Sequence, residues 1–150
     1  MKTERLILIP FFGNYIINNV VAAIAALFPA STTGSVLTLQ YIVFVVIALL
    51  VSAWFAWWYF RGTSNSMMVK AGAIFGVAGF LVSVATTFVS GFAGVILQTG
   101  SIAQAFTVLP KFGPFLWNWS TLVVLGYWLI PAIIVAYWLQ SKVVKSSSMM

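Results

Sequence analysis

The chain has 150 residues, of which 63% are hydrophobic and 5% charged, with a formal net charge of +6. A water-soluble domain is about a quarter charged, so a chain with mean hydropathy +1.10 cannot cover itself with polar side chains, and lipid is its expected solvent. There is no Cys and no His, which excludes disulfides, thiolate or imidazole metal sites and haem ligation by those groups.

Residues 1–150 leave room for a single transmembrane domain. Four apolar runs, about 6–28, 36–60, 71–97 and 115–139, contain no charged side chain. A helix rises 1.5 Å per residue, so about 20 residues cross a hydrocarbon core of roughly 30 Å. None of the runs alternates with period two, so helices are expected and barrel strands are not. The fold class is therefore an all-α integral membrane protein, a four-helix transmembrane bundle.

The first run follows Lys2, Glu4 and Arg5 and carries Pro10, Gly13, Asn14, Asn18 and Asn19. Its charged start resembles a signal peptide, but its apolar stretch is too long and too polar within for one, so it is read as a retained span. Asn14 and Asn18 lie one helical turn apart. With Asn19 they are the candidate polar contacts inside the membrane, and their face is expected to continue through Ala22 and Ala25. The second run has Gln40 near its start and Trp54, Trp57, Trp58 and Tyr59 at its end. With little else polar, it is expected to face lipid or a partner subunit.

The third run is the most patterned. Gly72, Gly76, Gly79, Ser83, Thr86, Ser90 and Gly94 recur every three or four residues, which keeps one side of a helix in register. Small residues let helix backbones approach closely where lipid supplies no hydrophobic drive, so this stripe is the candidate helix-packing face. Thr87 joins Ser83, Thr86 and Ser90 in the alternative, a hydrated path facing the amides of the first run. Beyond it, Ser101 to Gln104 fits a capping box, and a short interfacial helix is expected over 102–109, stopped by Pro110. Asn118-Trp119-Ser120 matches a glycosylation sequon but abuts the membrane edge. The fourth run has Trp117 and Trp119 at one end, Tyr137 and Trp138 at the other, and Pro131 inside, where a static kink near Tyr127 is expected.

Six of the seven basic residues, all but Lys111, flank the same alternate ends of these runs. The positive-inside rule then predicts up-down-up-down topology with both termini cytoplasmic, in the cytoplasmic membrane of a prokaryote. The basic residues occur singly, so neither nucleic acid nor a phosphoinositide is an expected partner. General acid–base catalysis needs a titratable group at the site, and the only acid is Glu4. No enzyme activity, catalytic residue, metal or cofactor is expected.

The expected function is that of a non-enzymatic structural or accessory subunit of a membrane complex, or of a homo-oligomer. The expected partners are the bilayer, copies of the chain, or other membrane subunits. A channel, facilitator or holin-like pore for a small neutral or weakly polar solute is the alternative, with a lipid- or quinone-binding protein behind it.

Overall fold

The computed structural model describes residues 3–29, 38–61 and 68–148. All regular structure among them is helical, and four helices are long and apolar enough to cross a membrane. These are α1 (Thr3–Ala25), α2 (Leu39–Phe60), α3 (Met68–Thr99) and α6 (Trp119–Ser147). Between α3 and α6 lie α4 (Ile102–Phe106), a 3-10 turn (Leu109–Lys111) and α5 (Phe112–Leu116).

Local chemistry accounts for several boundaries. Thr38 caps α2, its hydroxyl accepting the Tyr41 N–H at 3.1 Å. Ser101 caps α4 in the same way, accepting from Gln104 N–H at 3.3 Å. The α4 helix ends at Phe106, short of the expected 109, and Pro110 falls inside the 3-10 turn. The α3 helix stops because Gly100 adopts φ +66° and returns its N–H to the Ile96 carbonyl at 2.8 Å. A residue with a Cβ adopts that left-handed conformation at a cost, which is why glycine ends so many helices.

α3 and α6, with 32 and 29 residues, are longer than the roughly 20 residues that a bilayer core requires. α6 continues to Ser147, past the apolar run, because Ser141 to Ser147 contains no helix breaker. It also runs unbroken through the expected kink at Pro131, which is buried.

The core pairs α3 with α6 most extensively, with α2 against the other side of α6 and α1 across α2 and α3. Gly72 meets Ala132 and Ala136, Gly76 meets Leu129, and Gly79 meets Trp128. Rising numbers on α3 thus meet falling numbers on α6, so the two helices run antiparallel. Phe60 touches Phe75 with ring centroids 5.9 Å apart, and Arg5 and Arg61 line one groove. The starts of α1 and α3 and the ends of α2 and α6 therefore gather at one end of the bundle.

α2 departs from expectation. It buries Ala48, Ser52, Phe55, Ala56 and Phe60 against its neighbours, because its small and aromatic residues at three- and four-residue spacing form an inward face that apolar composition hides. Tyr59, expected in an interfacial belt, packs against Phe75 with ring centroids 4.7 Å apart, whereas Trp54, Trp57 and Trp58 stay exposed.

Candidate functional site

The small-residue stripe of α3 divides into three parts. Gly72, Gly76 and Gly79 are buried against α6. A Cβ added at Gly72 would lie 2.7 Å from Ala136 Cβ, and one at Gly76 2.7 Å from Leu129 Cα, so these positions hold the two backbones at a distance only glycine permits. Ala132 and Ala136 are the matching small residues on α6. Ser83 and Thr86 instead meet α1. Ser90 is exposed, and a Cβ at Gly94 would meet nothing within 4 Å. The last part of α3, from about Ser90 on, therefore extends past its close contacts with α1 and α6.

A hydrogen-bonded cluster joins three spans where the glycine and hydroxyl segments meet. The indole N–H of Trp128, on α6, donates to Ser83 Oγ at 2.9 Å. Ser83 donates to Asn14 Oδ1 on α1 at 2.8 Å. Asn14 Nδ2 donates to Thr86 Oγ1 at 2.6 Å. The Thr86 hydroxyl returns its proton to the helix backbone, with the Val82 carbonyl at 2.9 Å and the Ser83 carbonyl at 3.0 Å. Asn14, Ser83 and Trp128 are all buried. A buried polar group without a partner is costly in an apolar medium, and these side chains relieve one another. Such bonds average about 0.6 kcal/mol between membrane helices, so the three interhelical ones contribute about 2 kcal/mol together.

The other expected polar residues sit outside this cluster. Asn18 is exposed, and Asn19 donates to its own helix at the Tyr15 carbonyl, 2.8 Å away. Thr87 likewise bonds back to the Ser83 carbonyl at 2.9 Å. The α1 face does not run from Asn14 through Asn18 to Ala22. Its buried positions are Asn14, Ile17, Val21 and Ala25, and residues Ile17–Val21 form a π-helical turn. A wider turn shifts the register of a helix face, which leaves Asn18 on the outside.

Two small cavities meet at Asn14 and Asn18. One, of about 70 Å³, reaches Thr87, Ser120, Thr121 and Tyr127. The other, of about 280 Å³, reaches Tyr15, Asn19, Thr86 and Ser90. Their polar linings are amide, hydroxyl and phenol groups. Among the described residues no three His, Cys, Asp or Glu gather to hold a metal ion.

Two positions in this cluster escape a reading of composition and stripe. Trp128 lies mid-span, far from the interfacial belts where membrane tryptophans concentrate, and an indole buried there needs an acceptor. That mid-span position was its signal. Gly13 is the second: a Cβ there would lie 2.8 Å from the Trp128 ring edge and 3.2 Å from Phe55, so Gly13 and Gly79 bracket the same indole.

Compared with protein-family models, curated proteins and solved structures, the chain matches none. Its functional reading rests on its own geometry.

Proposed function

We propose that the chain is a non-enzymatic membrane protein, a structural or accessory subunit of a larger membrane complex or of a homo-oligomer. It spans the cytoplasmic membrane of a prokaryote up-down-up-down, with both ends cytoplasmic. The supporting observation is that the Asn14–Ser83–Thr86–Trp128 cluster uses its polar groups to hold helices together, and that no carboxylate, imidazole or amine lies in the core among the described residues for chemistry or proton coupling. The end of α3, where α4 packs on Phe92 but Ser90 is exposed and Gly94 has open space around it, offers a surface of the small-residue kind that membrane helices use to associate.

Native mass spectrometry after mild extraction tests the reading. A multimer or a co-purified subunit is expected, weakened by Gly94→Leu, and a strictly monomeric species with no partner refutes it. Sidedness is separately accessible because the chain has no cysteine. A single Cys at Lys145 should be shielded from an impermeant thiol reagent in intact cells, and one at Lys111 should react. The reverse pattern would overturn the orientation.

A second reading, a facilitator for a small neutral solute, is favoured by one observation. Asn18 lines both cavities, and its side chain makes no hydrogen bond with the described residues. Liposomes carrying the protein should then pass solute faster than empty ones, and Asn18→Leu should reduce the flux. Flux equal to that of empty liposomes removes this reading.

A further inference from the structure

We propose that the groove between the start of α1 and the end of α2 holds an anionic phospholipid, its phosphate between Arg5 and Arg61 and its acyl chain along Leu8 and Phe12. The groove encloses about 400 Å³ and is walled by Trp58 and Tyr59 on the α2 side. It brings two guanidinium side chains to one opening. Neither forms an ion pair with a described residue, including Glu4, the chain's only acid. Arg61 lies near the Trp57 ring, 5.9 Å from its centroid, which leaves its fork of donors free for an oxyanion.

Two like charges facing one cleft call for an anion between them, and phosphate is the anion whose oxygens match guanidinium forks. The walls decide what the phosphate carries. Arg5, Leu8 and Phe12 follow one another on one side of α1, and Leu8 and Phe12 are exposed, so an apolar track leads away from the charged mouth. Free phosphate leaves that track empty. A zwitterionic lipid brings its own ammonium to the arginines. An anionic phospholipid satisfies both parts. The Tyr59 hydroxyl, buried without a partner among the described residues, adds an unused donor to the wall. This inference requires that the chain lie in a bilayer, but not that it oligomerise or conduct.

The experiment is native mass spectrometry of the protein released from micelles containing equal amounts of phosphatidylglycerol and phosphatidylcholine. The wild type should retain phosphatidylglycerol in preference, with each arginine worth roughly fivefold. Arg5→Gln with Arg61→Gln should bring the two lipids to near-equal retention, and Arg61→Gln alone, beyond the helix end, should remove roughly fivefold even if the double variant folds poorly. Lys111→Gln and Lys145→Gln should leave the preference unchanged. The proposal fails if the wild type shows no preference, if Arg61→Gln keeps it, or if Lys145→Gln lowers it equally, which would mean diffuse surface charge. It also fails if inorganic phosphate alone displaces the lipid completely, which would reduce the site to a simple anion site.

Discussion

Replacing Gly79 by Ala tests a close approach between α3 and the Trp128 indole. The added Cβ would sit 2.5 Å from both Cδ2 and Cε3 of Trp128 and 2.9 Å from its Cγ. Carbon atoms rest comfortably at about 3.5 Å or more, so the ring has to retreat by about 1 Å. It has little room: Trp128 is fully buried, Gly13 closes the side near its ring edge, and its indole N–H is tied to Ser83 at 2.9 Å. A shift of that size takes the bond past the usual limit of about 3.2 Å. Overpacking costs about 1–3 kcal/mol, the lost membrane hydrogen bond about 0.6 kcal/mol, and the gain in helix propensity returns about 0.5–1 kcal/mol. A net loss of about 1–3 kcal/mol is expected. Gly94→Ala is the control, since nothing lies within 4 Å of its added Cβ; it should be neutral or stabilising by up to about 1 kcal/mol. Reversible unfolding in mixed micelles, followed by far-ultraviolet circular dichroism against rising SDS, measures both. If Gly79→Ala matches the wild type, or if the two glycines respond alike, the close packing of Gly79 against the indole is wrong.

The Asn14→Ala and Ser83→Ala double-mutant cycle in the same assay should return a coupling of about 0.5–1.5 kcal/mol, and additivity would mean that the 2.8 Å bond between them contributes nothing. Trp128→Phe leaves a void and deprives Ser83 of its donor, and should cost about 1–3 kcal/mol. Trp138→Phe should cost less, because that exposed ring makes a cation–π contact with Lys142, 3.7 Å from the ring centroid, worth about 0.5–1 kcal/mol. An inverted order would remove Trp128 from the core. Ser52 is buried with its hydroxyl unpartnered among the described residues, so Ser52→Ala should be neutral or raise stability by about 1 kcal/mol. A clear loss would reveal a bond that Ser52 makes in the bilayer.

The four spanning helices were legible because charge avoidance and run length are properties of each segment alone. Pairings were less so. The stripe on α3 pointed to a packing face, but its spacing is indifferent to which helix comes near. Steric fit decides that: glycines accept the bulk of Trp128 and Leu129 on α6, whereas Ser83 and Thr86 match the donors and acceptors of Asn14 on α1. The inward face of α2 was hidden because Phe55, Ala56 and Phe60 look the same to a hydropathy scale whether they meet lipid or protein. Asn18 was grouped with Asn14 on an assumed regular helix, and the π-helical turn at Ile17–Val21 is a tertiary adjustment that no single residue announces.

The hydrogen bonds around Asn14 have a sense of direction. An indole N–H can only donate, so Trp128 obliges Ser83 to accept from it and donate onward. That makes Asn14 present its carbonyl to Ser83 and its amino group to Thr86, until the proton count ends on a backbone carbonyl of α3. A rotation of α1 about its axis would carry the Asn14 amide away from both hydroxyls and strip the buried Ser83 of its acceptor. The arrangement therefore acts as a keyed latch that favours one rotational setting of α1. None of its four side chains changes charge near neutral pH, so the latch stays keyed whatever the proton gradient across the membrane.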